Sequence, residues 1–491
     1  MMKLAVGASA FVGVVLFAGL ALAEGGYYSG TLGARGAGRG GAVVASTDDV
    51  TAVDVNPAGL AKANGNVIQL GNVFSHNAYA YKRDTTKDWG DFDQQSGEPK
   101  VVSFNRVNNG RPWQALDPFL GVASKLGLRD FTFALAAYAP PGIGALEFPG
   151  SGGQRYAMVS REVMFLKYVG SIAWKYQDVF GIGATAQWIH VPRLRYSLII
   201  DGSVFSQSAN PVSSGYDIMA TMNGSSLFTF NAVLGAWFRP VTALEFALSG
   251  QVVPTNIVAN ANLTVDSIGA DIGRVTLLRG SSPANDVTVT MPLPMLFRGG
   301  VRYRNMAGNR EAFDLELDVE YQTWSRVNKF AIDTHGLQAR SQNERIALNT
   351  ITIDKHWKDT IAVRLGGDYA VLPSQLTLRA GGYYETAVAD PAYASVDFPT
   401  GPQVGGGLGA SIFLGPLEVA LAYHLRVQPS VYVSEKNARG YQQVPGSPCT
   451  APYTDTTNCN ANFLGQPSPA INAGSYSAAS HSLAIDVLYR N

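Results

Sequence analysis

The segment from Phe313 to Trp324 alternates between apolar and polar side chains over almost its whole length. Its apolar positions are Phe313, Leu315, Leu317, Val319 and Tyr321, and its polar positions are Asp314, Glu316, Asp318, Glu320 and Gln322. A period of two indicates a β-strand with two different faces. Because carboxylates do not face hydrocarbon, we expect one face in an apolar medium and the acidic face towards a polar interior.

The same alternation recurs from about residue 66 to the end of the chain. It is seen in the segments Glu162–Tyr176, Leu227–Phe238, Leu244–Gln251, Phe297–Arg304, Ile361–Tyr369, Leu376–Glu385 and Leu417–Arg426. Some strands are joined by short turns and others by long polar loops, which is typical of outer-membrane barrels. Soluble β-sandwiches and propellers also alternate, but here Tyr and Trp gather near strand ends, as aromatic girdles do. The predicted fold class is therefore all-β, a transmembrane antiparallel β-barrel.

The first residues have the pattern of an export signal. Lys3 is followed by an apolar run from Val6 to Leu20 and by Ala21-Leu22-Ala23, a small-x-small cleavage site. We expect residues 1–23 to be a signal peptide, with an uncleaved membrane anchor as the alternative. No later window is apolar enough for a helical span. The predicted location is the outer membrane of a Gram-negative bacterium.

Composition narrows the function classes. Only 15% of the 491 residues are charged, and 37 basic residues balance 37 acidic ones. Nucleic-acid binding would need a basic excess, so we expect no nucleic-acid partner. The six histidines are scattered, and no catalytic or metal-binding motif occurs. We therefore expect no enzyme activity, no cofactor and no metal.

Two cysteines, Cys449 and Cys459, lie ten residues apart in a polar loop. In an exported chain this pair is a disulfide candidate, and two free thiols are the alternative.

Basic residues next to the acidic strand predict a charge network. Arg298, Arg302 and Arg304 share the polar face of the preceding strand, and a short turn at Gly308-Asn309 would make the two strands a hairpin. Opposite charges would then meet across the strands. We expect these arginines to pair in the lumen with Asp314, Glu316, Asp318 and Glu320.

The segment before the first strands is rich in Gly. Ser46 or Thr47 could cap a short helix with carboxylates in its first turn, and Asn56-Pro57 would end it.

Several motifs, taken in order, resemble the FadL/TodX family of outer-membrane transporters for long-chain fatty acids and other hydrophobic compounds. These are Val55-Asn56-Pro57-Ala58-Gly59-Leu60, Leu116-Asp117-Pro118-Phe119, Met291-Pro292-Leu293-Pro294 and Tyr321-Gln322-Thr323-Trp324-Ser325. The resemblance implies about 14 strands over residues 65–491 and an N-terminal hatch, or plug, over residues 24–64. It places the turn Asn56, Pro57 and Ala58 inside the lumen.

The resemblance also implies a route and a cargo. Hydrophobic substrate would be caught by the outer loops, enter an apolar pocket above the hatch and leave sideways through the wall into outer-membrane lipid. Candidate contacts to an acidic head group are Arg193, Arg195 and Lys329, and candidate apolar contacts are Phe119, Phe131 and Phe133. The substrate could be a fatty acid or an aromatic hydrocarbon, and we expect a monomer. A general porin for polar solutes and a surface adhesion barrel are the alternatives.

Overall fold

The computed structural model describes residues 32–63, 65–140, 145–202, 214–308, 310–341, 344–348, 350–441 and 470–491. The expected signal peptide and both cysteines, Cys449 and Cys459, lie outside the described residues.

The chain forms a closed antiparallel barrel of 14 strands. Several wall strands are broken into two segments, and two small sheets rise from the loops. In chain order the strands are β1 (Val67–Arg83), β2 (Thr86–Phe92), β3 (Pro99–Val102), β4 (Val107–Asn108), β5 (Trp113–Ser124), β6 (Phe131–Tyr138), β7 (Leu146–Glu147), β8 (Ser160–Tyr176), β9 (Phe180–Asp201), β10 (Asp217–Val241), β11 (Leu244–Gln251), β12 (Asn256–Ser267), β13 (Val275–Arg279), β14 (Ser282–Pro283), β15 (Asp286–Pro292), β16 (Leu296–Ala307), β17 (Arg310–Gln322), β18 (Lys329–Asp333), β19 (Gln338–Ser341), β20 (Glu344–Ala347), β21 (Ile351–Asp354), β22 (Thr360–Leu372), β23 (Leu376–Glu385), β24 (Gln403–Leu414), β25 (Leu417–Val433) and β26 (Gly474–Arg490).

The barrel closes where the first strand meets the last. β1 pairs with β26 along its whole length, from Val67 opposite Arg490 to Arg83 opposite Gly474. The loop strands β13, β14, β19 and β20 form one small sheet, and β2 pairs with β3. Closure leaves no open edge, which a sheet in a membrane needs because lipid cannot satisfy backbone hydrogen bonds.

The wall strands have the two faces that their alternation predicts. In β17, Leu315, Leu317 and Val319 are exposed on the outer surface, whereas Glu316 and Asp318 are buried inside. The outer face is therefore apolar and suited to lipid, and the acidic face is turned into the lumen.

An inner segment, residues 32–63, lies inside the barrel. It contains the helices α1 (Gly33–Gly38) and α2 (Ala52–Val55) and a 3₁₀ helix, Pro57–Lys62. α1 contacts β23–β26, and the 3₁₀ helix contacts β8–β10. None of the described helices is long and apolar enough to cross a membrane.

The inner segment corrects one expectation about its helices. No helix starts at Ser46 or Thr47, because the backbone N–H of Ser46 is held by a wall carboxylate, Glu316. α2 follows Thr51, whose N–H donates to Asp49 at 2.8 Å. As Pro57 predicts, α2 ends before Asn56, whose backbone is extended. α1 was not expected, because its Gly-rich sequence has low helix propensity.

Glycines in the wall allow the inner segment to approach closely. A Cβ at Gly381 in β23 would lie 1.9 Å from the carbonyl oxygen of Arg39. A Cβ at Gly183 in β9 would lie 2.4 Å from the carbonyl carbon of Pro57. The inner segment therefore contacts two separate regions of the barrel wall, at β23 and at β9, with backbone against backbone.

Gly381→Ala tests this fit. The added methyl group would push Arg39 away from the wall, at a cost of about 1–3 kcal/mol by the usual scale of overpacking. We expect faster amide hydrogen exchange over residues 36–46 in the purified protein. The matched control is Gly170→Ala in β8, where the nearest atom to the new Cβ would be Leu135 Cδ2 at 3.7 Å. Equal exchange in both variants would show that the close approach does not matter.

Candidate functional site

Arg39 of the inner segment is the centre of a buried charge cluster. Its guanidinium donates to Asp314 at 2.9 Å, to Glu316 at 2.9 Å and to Asp368 at 2.8 Å. The side chains of Arg39, Asp314 and Glu316 are fully buried. One cation from the lumen thus faces three wall carboxylates.

Backbone N–H groups of the inner segment also bind two carboxylates of the acidic face. Asp318 accepts from Val43 at 2.7 Å and from Val44 at 2.9 Å. Glu316 accepts from Ala45 at 2.6 Å. Hydrogen bonds from N–H groups to a carboxylate are stronger than neutral ones, so residues 39–46 act as one anion-binding strip against β17.

The arginines of β16 have the placement expected on the lumen face, with one difference. Arg298 Nε lies 2.5 Å from Glu320, and Arg302 Nε lies 2.5 Å from Asp314. Arg304 instead bonds Glu311 at 2.7 Å. The carboxylate opposite Arg304 in the strand register is Asp314, which already binds Arg302 and Arg39. Glu316 and Asp318, expected to pair with β16, bind the inner segment.

The turn Asn56-Pro57-Ala58 is fixed from both sides. Asn56 Nδ2 donates to the Val44 carbonyl at 2.9 Å, and its Oδ1 accepts from the Ala58 N–H at 3.2 Å. From the wall, Trp237 Nε1 donates to the Ala58 carbonyl at 2.9 Å. The turn therefore links the inner segment to β10.

A small polar cavity lies beside α2. Asp54 accepts from Lys167 at 2.7 Å and from Tyr138 at 2.6 Å. Burial alone would raise the pKa of Asp54, but Lys167 and Arg298 outweigh it and hold that pKa below its usual range. The cavity measures about 60 Å³, far below the several hundred cubic ångströms of a typical ligand pocket. Its polar lining residues are Asp54, Tyr138, Lys167, Gln251, Arg298, Asp318, Glu320, Gln322 and Arg364, and the rest of the lining is formed by Leu32, Gly41, Val43, Val44, Val55, Pro140 and Leu296.

The loop end of the lumen holds an apolar cluster with two buried cations. Lys355 Nζ lies 5.0 Å from the ring centre of Phe330 and 5.4 Å from that of Phe398. Arg161 Cζ lies 4.6 Å from the ring centre of Phe398. Trp357 packs edge-on against Phe398 at 5.6 Å. We call these five residues the cationic cage.

One carboxylate, Asp397, joins the cationic cage. It pairs with Lys355, and both side chains are almost completely buried, at 1% and 3% exposure. The hydroxyl of Tyr196 donates to Asp397 at 3.5 Å. Burying ions in apolar surroundings is costly unless they are well paired, and Asp397 supplies that partner for Lys355. The cage therefore combines buried charge with aromatic surface, which is the combination that an amphipathic ligand would match.

A wider cleft, which we call the outer cleft, opens among the loops. It measures about 620 Å³ and contains both apolar and charged groups. It is lined by Val102, Phe104, Gly150, Ser151, Arg155, Ser214, Gly215, Asp217, Ile268 and Ala270. Arg155 donates to Asp217 at 3.0 Å. Six residues further along the chain, Arg161 reaches the cationic cage.

Among the described residues, which omit 141–144, pairing along the third wall strand stops at one point and resumes further along. β6 pairs with β8 only as far as Tyr138 opposite Lys167. Pairing with β8 resumes at Leu146 opposite Arg161 in β7. Pro140, in the interval between them, lines the polar cavity. Between these two paired stretches the cavity therefore reaches the barrel wall.

Most of the residues expected to bind ligand lie elsewhere. Arg193, Arg195 and Lys329 are exposed, with Arg193 at 64%. Phe131 is exposed on the outer face of β6, and Phe133, two residues later, has its side chain on the same outer face. These two phenylalanines therefore face away from the lumen and cannot line a pocket there.

Phe119 alone among the apolar candidates is buried inside, 5.8 Å from the ring centre of Tyr138. A bulge in β9 between His190 and Arg193 breaks the alternation, so the phase of the arginines could not be read from the sequence.

Sequence reasoning also missed three buried cations. Arg161 has the same strand phase as Lys167, so extending that polar face by six residues would have found it. Arg39 and Lys355 lie outside any alternating strand, and no local pattern marks them.

Comparison with known proteins agrees with this architecture. The family model for "Outer membrane protein transport protein (OMPP1/FadL/TodX)" matches residues 14–466. No curated protein matches the chain significantly.

Solved structures with the same fold include three bacterial outer-membrane proteins. A Pseudomonas aeruginosa FadL homologue aligns with TM-score 0.72 and 17% identity, over 95% of this chain and 100% of that chain. The Pseudomonas putida toluene transporter TodX gives TM-score 0.59 and 14% identity, over 94% and 98%. The Ralstonia pickettii toluene transporter TbuX gives TM-score 0.56 and 14% identity, over 94% and 98%. At such low identities the likeness establishes the fold alone.

Arg39→Gln tests the charge cluster. Removing the cation leaves Asp314, Glu316 and Asp368 buried without their shared partner, which should lower the free energy of unfolding by about 3–5 kcal/mol. Urea unfolding of the purified protein in detergent measures this loss. Acidification should reduce it, because protonated carboxylates no longer repel one another. The control is Arg304→Gln, which breaks one pair at the strand end; an equal loss there would argue against a central role for Arg39.

Proposed function

The chain belongs to the OMPP1/FadL/TodX family of outer-membrane transport proteins, and we propose that its cargo is long-chain fatty acids or similar apolar carboxylic acids. As a family member it is an outer-membrane transporter of hydrophobic compounds. The proposal concerns which compounds it carries and by what route.

The observation that carries the proposal is the cationic cage. Arg161 and Lys355 place two positive charges among Phe330, Trp357 and Phe398. A fatty acid combines the two kinds of group that such a site would bind, a carboxylate for the cations and a long apolar tail for the aromatic rings. The carboxylate would form a charge-assisted hydrogen bond with Arg161 and would share Lys355 with Asp397. Each buried methylene of the tail would add about 0.8 kcal/mol.

The route joins features at three depths. Cargo collects in the outer cleft near Arg155 and Phe104, moves to the cationic cage and leaves sideways near Pro140, where strand pairing is interrupted. The polar cavity of about 60 Å³ is too small for a fatty acid, so passage requires the inner segment to move. In this proposal residues 24–64 are the hatch, residues 65–491 are the barrel, and transport is passive.

An aromatic hydrocarbon is the second candidate cargo. The P. putida and R. pickettii proteins named above are toluene transporters, and the aromatic rings of the cage could stack with toluene. Toluene has no carboxylate, so it would gain nothing from Lys355 or Arg161. The two cargoes therefore predict different responses to loss of these charges.

Lys355→Gln and Arg161→Gln separate the two cargoes. If a carboxylate binds in the cage, uptake of labelled oleate should fall roughly tenfold or more in each variant, since charged hydrogen bonds are worth about 1.5–3 kcal/mol. Uptake of labelled toluene should change little. The assay compares cells carrying each variant with cells lacking the protein.

Lys329→Gln is the matched control, because it removes one lysine from the exposed outer face. It should transport oleate normally. Normal oleate uptake in both cage variants would exclude the carboxylate proposal. Unchanged uptake of every apolar compound in cells lacking the protein, with reduced flux of small sugars, would favour a porin instead.

Asn56→Ala and Pro57→Ala test the hatch. Asn56 loses its bond to the Val44 carbonyl, and Pro57→Ala relaxes the turn that Trp237 holds. We expect altered uptake of oleate while the barrel keeps its folded mobility on unheated gels. Unchanged uptake in both variants would remove this turn from the mechanism.

A further inference from the structure

A polar patch lies on the outward side of the barrel beside β8 and β9. It contains Arg111, Arg193 and Arg195, with two carboxylates, Glu147 and Glu162. We call these five residues the arginine patch. None of its members lines the polar cavity, the cationic cage or the outer cleft, so the transport route leaves it without a role.

The arginine patch lies directly beyond a girdle of exposed aromatic residues. Tyr168 and Trp188 are register partners on β8 and β9, with ring centres 5.2 Å apart. Phe228 on β10 lies 6.0 Å from Trp188 and is 62% exposed. Aromatic rings gather where hydrocarbon meets the polar head groups. Tyr168, Trp188 and Phe228 therefore mark that boundary on this side of the barrel.

The distance from the girdle to the patch can be estimated from the strands. Arg193 follows Trp188 by five residues on β9 and lies on the side of the long loops. At about 3.3 Å per residue and a tilt near 45°, this places Arg193 roughly 12 Å beyond the girdle. That is the depth at which the head groups of the outer leaflet lie.

The patch carries more positive than negative charge. Glu162 is shared: it lies 2.7 Å from Arg193 and 3.4 Å from Arg111. Glu147 is 3.9 Å from Arg111. Arg195 is the register partner of Glu162, yet it forms no ion pair with any residue that the structure describes. Two guanidinium groups thus pair with one central carboxylate, and Arg193 and Arg195 are exposed on the outer surface.

These arginines are not explained by stability. Exposed ion pairs contribute little to folding, with a median of about 0–1 kcal/mol. Two arginines two residues apart on one face also repel each other. An external anion would remove that repulsion, and guanidinium groups bind phosphate through paired hydrogen bonds.

We propose that the arginine patch binds the phosphate groups of the phosphorylated glycolipid in the outer leaflet. Acyl chains of the same lipid would lie against Trp188, Phe228 and the neighbouring apolar face. Neighbouring outward amides at Asn223 and Asn262, both exposed, offer further hydrogen bonds to the sugar. The lipid would hold the outer half of β8 and β9 in place, next to the strand pair where pairing is interrupted.

Native mass spectrometry of the purified full-length protein in detergent tests this directly. The probe is lipid A with two phosphates, titrated against wild type and the double variant Arg193→Gln/Arg195→Gln. We expect binding to weaken roughly thirtyfold in the double variant, as attraction of anionic lipid is worth about 1 kcal/mol for each of the two arginines. Lipid A without phosphates should bind both proteins equally weakly.

The matched control is Arg340→Gln/Arg345→Gln, which removes two arginines from the loop sheet at β19 and β20. It should bind bisphosphorylated lipid A as wild type does. Equal binding by wild type and the patch variant would overturn the proposal, and so would an equal loss in the control. Competition by millimolar inorganic phosphate would also overturn it, because the site would then recognise a free anion and not a lipid. Unheated gel mobility verifies that each variant is folded.

Discussion

The acidic face of β17 depends on partners that come from inside the barrel. Glu316 and Asp318 are buried, and their partners are Arg39 and the backbone N–H groups of residues 43–46. Without these partners, several carboxylates would be left in the lumen with too few cations. The wall and the inner segment are therefore not independent. Each satisfies polar groups that the other would leave buried.

Shape and charge specify the same position for the inner segment. Glycines such as Gly381 and Gly183 remove the side chains that would keep the backbone away. At the opposite end of the segment, Lys62 bonds Glu245 at 2.8 Å, and Asp54 bonds Lys167. Displacement of the whole inner segment would have to break its contacts with several strands around the barrel wall. A local movement near the turn at Asn56 requires fewer of them.

The barrel could be predicted from sequence because lipid and lumen impose opposite chemistry on alternate residues. The acidic strand, its lumen face and the arginines of β16 follow from that rule. Arg39 could not be assigned, because its partners lie some 275 residues away in a segment without periodicity. Phe131 and Phe133 were misjudged because β6 is apolar on both faces, so its sequence does not show which residues face the lumen. Lys355 follows a short strand and shows its role only when Phe398 and Asp397 are folded against it.

The layer of polar side chains around the 60 Å³ cavity has a thermodynamic consequence. Lys167, Arg298, Glu320 and Arg364 place four charged groups around the cavity. An alkyl chain of about ten methylenes would lose on the order of 8 kcal/mol on entering that layer. The free energy of an apolar solute therefore rises where it meets this layer along the barrel axis. In the proposed lateral route, this charged layer stops apolar solutes in the axial direction, and the bilayer is the apolar phase that receives them.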